Sequence, residues 1–320
     1  MPNHAKTVAF LILAHEVDNQ LEQLVESLLL DSRSRLYIHL DKKTENLRWL
    51  EQDFHEHVRL IKDRVIVNWG GSSMIDAMLL LLKAALQDKE NSAFMLLSGS
   101  CFPAKHPKTV VDSILAQEQP VLSIWGQMQA ELAQNENFGR FVVTKYHPLD
   151  VTMLNPRRDG YRAFFWNIYK IINNHLSYER RVDVTDLWKG SVFFLVNRDL
   201  ATLFVAEHPK LLSDLRYALA PDEIFFSTIY VRWARQAGIH VQLNDPQGAI
   251  QGTHYIQKKS SKNRPILHRL FLPVDLRVLG EESIEAAIQS PALFTRKCSA
   301  EISKKIRETW EKIKITELAI

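Results

Sequence analysis

Val8-Ala9-Phe10-Leu11-Ile12-Leu13-Ala14 is an unbroken apolar run of strand length. Because it does not alternate with polar residues, it predicts a strand covered on both faces, as in the middle of a parallel sheet. Asp18 then stands where a helix cap belongs, and Leu21, Leu24, Val25 and Leu28 recur at helical spacing. Leu36-Tyr37-Ile38-His39-Leu40-Asp41 reads as a second strand. Strand, helix, strand predicts a parallel pair with a right-handed crossover. The fold class that follows is α/β, a mostly parallel central sheet flanked by helices.

Working outward, a helix is predicted around Leu47 to His57, then a strand at Val65-Ile66-Val67-Asn68, the turn Trp69-Gly70-Gly71-Ser72-Ser73, and a long helix from Met74 to Leu86. Ala93 to Leu97 is the next strand and ends in Ser98-Gly99-Ser100-Cys101-Phe102-Pro103. Val121 to Trp125 and Ser191 to Val196 read as further strands, and Phe164 to Ile172 as an aromatic-rich helix. In open parallel sheets ligands sit beyond the carboxyl ends of strands. Three such ends, at Asp41, at Trp69 to Ser73 and at Ser98 to Ser100, therefore point to a nucleotide-type site in the first half. The glycines and serines of the Trp69 turn suit backbone contacts to a phosphate or a sugar, although a tight turn with a serine cap explains them as well. The chain reads as one domain, 1–320, with a nucleotide-binding half at 1–130, a second half at 131–299, and an amphipathic helix at 300–320.

With 46% hydrophobic residues the chain can bury a large core, and Lys+Arg 40 against Asp+Glu 37 gives no general attraction to nucleic acid. No apolar run approaches the ~20 residues of a membrane span. Two cysteines, Cys101 and Cys298, cannot form a disulfide framework and fit a reducing compartment, so the expected location is the cytoplasm. Ile302, Ile306, Trp310 and Ile313 make one apolar face of the last helix, with lysines opposite. Such a helix can attach a protein peripherally to the inner face of a membrane; docking on its own domain is the commoner outcome. There is no G-x-G-x-x-G, no P-loop and no nucleophile elbow. Neither metal-ligand spacing nor an Asp-x-Asp at a strand end is present, so no metal cofactor is expected and the charge of any diphosphate falls to Arg and Lys.

Leu219-Ala220-Pro221-Asp222-Glu223-Ile224-Phe225-Phe226 begins a helix with two acids in its first turn. Capping alone explains most such acids. Trp188-Lys189-Gly190-Ser191 upstream and Phe294-Thr295-Arg296-Lys297 downstream give Glu223 the company of cations and aromatic rings. Trp188 and Tyr255 suit stacking on a sugar face, although a large aromatic residue is more often simply part of a core.

Taken in order, Leu11-Ile12-Leu13-Ala14-His15, Ile38 to Lys43, Trp69 to Ser73, Leu97 to Lys105, Lys189-Gly190-Ser191, Pro221-Asp222-Glu223 and Leu293 to Lys297 carry a resemblance over nearly the whole chain. The sequence resembles the core-2/I-branching N-acetylglucosaminyltransferase and peptide O-xylosyltransferase family, inverting glycosyltransferases of GT-A-like fold. The resemblance implies a UDP-sugar donor, a carbohydrate acceptor and catalysis without a divalent metal. It implies Asp41 as a nucleoside contact, Glu223 as the catalytic base and Lys297 as a partner of the diphosphate, with Arg264 or Arg269 for the family's further arginine. His15, Trp69, Gly70, Ser98, Gly99 and Arg296 complete the donor-side candidates; Trp188, Lys189, Ser191 and Tyr255 are those on the acceptor side. Lys297 is expected to point inward, with Arg296 as support. The sequence departs from the family at Cys101 and Cys298, where an aspartate and an aromatic residue are usual, and after Tyr255-Ile256, where tryptophan is common. A metal-dependent transferase, and a noncatalytic carbohydrate or nucleotide binding module of the same fold, are the alternatives.

Overall fold

In the computed structural model of the chain, residues 6–46, 56–128, 141–151, 160–175, 179–257 and 278–318 are described. The first half runs β1 (Thr7–Ala14), α1 (Asn19–Leu28), β2 (Ser34–Leu40), β3 (Val58–Leu60), α2 (Ser73–Leu86), β4 (Asn91–Ser98), β5 (Cys101–Pro103), α3 (Pro107–Ala116) and β6 (Val121–Gln127). The second continues with α4 (Phe141–Thr144), α5 (Gly160–His175), β7 (Trp188–Asn197), α6 (Arg198–Val205), α7 (Pro209–Leu215) and α8 (Asp222–Gln236). After these come β8 (Ile250–Gln251), β9 (His254–Ile256), a 3-10 turn at Glu281–Ser283, α9 (Ile284–Gln289), β10 (Phe294–Arg296) and α10 (Ala300–Leu318).

The main sheet has the order β3-β2-β1-β4-β7-β6. β1 lies parallel to both β2 and β4, and β2 parallel to β3, whereas β7 runs antiparallel to β4 and to β6. The sheet is thus mostly parallel, with helices on both faces, as the opening apolar run predicts. Alternate residues of β1 serve two cores: Ala9 and Leu11 pack with Ile75, Met78 and Leu82 of α2, and Phe10 and Ile12 with Leu21 and Leu24 of α1 and Val110 of α3. Phe10 is fully buried, which contributes about 2–3 kcal/mol for a side chain of this kind.

A second sheet, β5-β10-β9-β8, stands beside the first. Phe102 of β5 stacks on Trp310 of α10 with ring centroids 5.3 Å apart, in a cluster with Cys298, Ile302 and Ile306. The described apolar face of α10 is therefore buried against the protein's own core, which removes the basis for a membrane contact there. Ser303 Oγ donates to Gln20 Oε1 at 2.7 Å and Arg307 Nη2 to Ser27 Oγ at 2.8 Å, tying α10 to α1.

The strand predicted at Val65 to Asn68 does not form. Val65 N donates to His39 Nε2 and Lys42 N to Val65 O, so a side chain and a loop satisfy this backbone in place of a ladder. β3, six residues or so earlier, takes the edge position instead. The helix predicted around Leu47 to His57 falls largely outside the described residues.

Candidate active site

The strand ends converge. Gly99 N donates to Leu13 O and Asp41 N to Ala14 O, both at 2.8 Å, which draws the ends of β1, β2 and β4 together. Beside them a cleft of ≈ 470 Å³ is lined by His15, Asp18, Gln20, Gly99, Ser100 and Ser299, among others. His15 is exposed, and Ser98 Oγ lies 3.1 Å from Ser100 Oγ. Asp41 is almost fully buried; its carboxylate meets Lys43 Nζ at 2.9 Å and Lys43 N at 2.9 Å, so the chain itself already supplies it with partners. Arg264 and Arg269 lie outside the described residues.

The Trp69 to Ser73 turn is built differently from the expectation. The N–H groups and hydroxyls that begin α2 are taken by Asp150: Ser72 N and Ser72 Oγ each donate to its Oδ2 at 2.8 Å, and Ser73 N and Ser73 Oγ reach Oδ1. A residue distant in sequence thus caps this helix, and these donors are engaged. Gly70 has φ +74 and Gly71 lies where a Cβ would come within 2.2 Å of Asp150 Oδ1, so both positions require glycine. Gly70 O accepts from Ala220 N at 2.9 Å, linking this turn to the start of α8. Ala220 has φ 50, a left-handed conformation costly for a residue with a Cβ, immediately before Pro221. Trp69 is partly exposed beside it.

At the head of α8, Lys189 Nζ lies 3.0 Å from Glu223 Oε2, with Lys189 nearly buried at 5% exposure and Glu223 at 28%. Asp222, the neighbouring acid, is buried, and its Oδ1 has no hydrogen-bond partner among the described residues. Its carboxyl is pushed up to about 7, first by burial and then by the charge of Glu223, with Lys189 opposing. Arg296 is partly buried, with its guanidinium 4.6 Å from the centre of the Phe193 ring and Nε sealed from solvent without a partner. Burial lowers its pKa, while Cys101, Asp222 and Glu223 act in the opposite direction. Arg296 therefore stands within the field of both acids, and takes the inward position assigned to Lys297 from the sequence. Lys297 is partly exposed, and its carbonyl accepts from Leu279 N at 2.6 Å.

Period two in β7 explains which neighbours join this group. Lys189 and Ser191 share a side with Phe193, whose ring faces His254 at 4.1 Å and Arg296. Ser191 is buried. Gly190 turns the other way, where a Cβ would meet Ser227 Oγ of α8 at 2.7 Å. Trp188 shares that opposite side: its ring lies under the Arg235 guanidinium at 4.9 Å, and its backbone N–H donates to Thr228 Oγ1. Tyr255 packs against the α10 cluster, across the strand from buried His254. The structure thus gathers Glu223, Lys189 and Arg296, and turns Trp188 and Tyr255 to other surfaces.

Sequence reasoning missed Asp150, His254 and the burial of Asp222. His254 is held by Thr253 Oγ1 at 3.1 Å and Cys101 Sγ at 3.5 Å, and burial followed by the charge of Arg296 puts its pKa well below the ordinary value. It is a neutral imidazole. Among the described residues, no group of three or more His, Cys, Asp or Glu is placed to hold a metal ion.

The profile of the Core-2/I-Branching enzyme family matches the chain over residues 8–284. The chain belongs to the Core-2/I-Branching enzyme family. Membership implies a glycosyltransferase, with a nucleotide-sugar donor and a carbohydrate acceptor. The matched residues of this Core-2/I-Branching enzyme include Lys189 and Glu223 and end before Arg296. No curated protein matches the chain. Among the described residues, no helix is long and apolar enough to cross a membrane.

Proposed function

We propose that this glycosyltransferase moves a sugar from a UDP-sugar to a carbohydrate hydroxyl with inversion, N-acetylglucosamine being the first candidate and xylose or glucuronate following. The observation that carries the reading is the contact of Glu223 with Lys189 at the open end of α8. The ammonium engages Oε2, while the other carboxylate oxygen has no partner among the described residues and the side chain keeps 28% of its surface exposed. An incoming hydroxyl has that oxygen to meet. Glu223 takes the hydroxyl proton as the acceptor oxygen attacks the anomeric carbon, and the bond from that carbon to the diphosphate oxygen breaks on the opposite side. Asp222, whose carboxyl burial pushes up to about 7, carries only part of a full negative charge near neutral pH.

Negative charge grows on the departing diphosphate, and preplaced cations stabilise it most when they need no reorganisation. Arg296, fixed against Phe193, and Lys297 fill this role in the proposal. The cleft lined by His15, Gly99 and Ser299 adjoins this segment and is the donor side. Cations of the chain, instead of a metal ion, neutralise the leaving group in this reading.

Glu223→Gln is expected to abolish transfer in a donor screen while UDP still binds by calorimetry; turnover near that of the unchanged protein would remove Glu223 from the base role. Transfer is also expected to survive excess chelator, and loss on chelation with recovery on adding manganese would contradict the cation-only account.

A further inference from the structure

Ala220 is held in a left-handed conformation, φ 50, three residues before Glu223. Such a conformation is costly for a residue with a Cβ, persists only where the surroundings over-determine it, and points to a functional constraint. Here the surroundings come from two segments distant in the chain. Gly70 O accepts from Ala220 N, Val142 O from Leu219 N, and Tyr217 O from His147 N, each at 2.9 Å. The residues leading into Pro221 are therefore clamped between the Gly70 turn and the 142–151 segment. Ala220 O in turn accepts from Glu223 N at 3.2 Å, so the clamped residue itself closes the first turn of α8. Where Ala220 points, Glu223 follows.

Asp150 locks the two clamping segments to each other. A helix cap needs only a side-chain oxygen on the first backbone N–H groups. Asp150 does more: its carboxylate also takes the hydroxyls of Ser72 and Ser73, and its carbonyl accepts from Asn68 Nδ2 at 2.9 Å. Asn68 is buried, and its own carbonyl accepts from Gly71 N at 3.1 Å. Leu149, fully buried, leaves a Cβ at Gly70 only 3.0 Å from its Cδ1. The Gly70 carbonyl thus has little freedom to turn away from Ala220. We propose that Asp150 is a positioning residue for the base: through the Gly70–Ala220 hydrogen bond it fixes the direction in which Glu223 leaves the head of α8. The inference rests on the reading of Glu223 as the base. General-base transfer needs the carboxylate within hydrogen-bond reach of the hydroxyl, so a head of α8 that drifts loses rate before it loses donor binding.

Hydrogen exchange on the full chain tests the link without turnover. In Asp150→Ala the amides of Leu219, Ala220 and Glu223 should exchange roughly tenfold faster, beyond any change at the β1 amides, which report global stability. Ser72→Ala, which leaves the carboxylate in place, should give a smaller effect, and Asp150→Asn, an equally good cap, should restore most of the protection. UDP release from UDP-N-acetylglucosamine, UDP-xylose and UDP-glucuronate is the second readout: in Asp150→Ala kcat should fall by roughly tenfold or more while KM for the donor holds. Faster exchange confined to residues 69–77 would make Asp150 a cap for α2 alone and overturn the proposal. So would an unchanged kcat in Asp150→Ala with the 219–223 amides released. Turnover kept in Glu223→Gln is a separate failure, that of the base assignment, and the exchange measurement then still decides whether Asp150 steadies the head of α8.

Discussion

Asp222 and Glu223 are adjacent acids with different surroundings. Glu223 keeps an opening and a lysine partner, whereas Asp222 is enclosed with one oxygen unpartnered. A carboxyl whose folded pKa stands near 7, against 3.8 when unfolded, binds more protons in the native state over that interval. Its contribution to stability is complete below the unfolded value and is lost as pH rises through the folded one. Asp222→Asn, which cannot ionise, should therefore be more stable than the unchanged protein by about 1–3 kcal/mol near pH 8 and by much less near pH 5. Urea unfolding at the two pH values checks this; an advantage that does not grow with pH would contradict it. The Pro-Asp-Glu segment made Glu223 legible in the sequence. The enclosure of Asp222 was not, because it depends on which residues of β7 turn toward α8, and two acids side by side in one first turn look alike until that packing exists.

The Gly70-Gly71 turn and Asp150 illustrate the same division among whole elements. β1, β2, β4 and α8 were legible because each carries its apolar pattern within a short window. The cap on α2 was not: Asp150 comes from a residue 77 positions beyond Ser73, and the serines beside the helix offered a local explanation that local reasoning preferred. The strand predicted at Val65 to Asn68 failed for a related reason, since His39 satisfies its backbone from outside the window. Asp150→Ala should cost about 1–2 kcal/mol as a lost cap. Gly71→Ala should cost about 1–3 kcal/mol through crowding of the Asp150 carboxylate. Combined, the two substitutions should cost less than their separate effects added together, by roughly 1 kcal/mol, since removing the carboxylate also removes the clash. Strict additivity in thermal melts would show that Gly71 is constrained by something else.

Across the whole molecule, residues far apart in the chain make the candidate site: Lys189 from β7, Glu223 from α8, and Arg296 from β10 on the second sheet. The parallel part of the main sheet followed from the opening strands, but the antiparallel insertion of β7 between β4 and β6 and the second sheet did not. Strands of two or three residues, such as β8 and β10, are too short to carry a period. α10 bridges α1, through Ser303 and Arg307, and the second sheet, through Trp310, whose ring stacks on Phe102 and whose Nε1 donates to Ala104 O at 3.3 Å. Trp310→Ala should lower the unfolding free energy by about 3–5 kcal/mol. It should also weaken UDP binding in calorimetry; unchanged UDP affinity in a folded Trp310→Ala protein would detach α10 from the donor side.

Ser299 and Ala300, at the threshold of α10, line the same cleft as His15 and Gly99. Ribosomal synthesis delivers the His15 wall of that cleft long before the Ser299 wall. A growing chain can lay down its central strands and still be unable to grip a nucleotide. Competence should appear abruptly, when α10 swings back onto a partner made long before it.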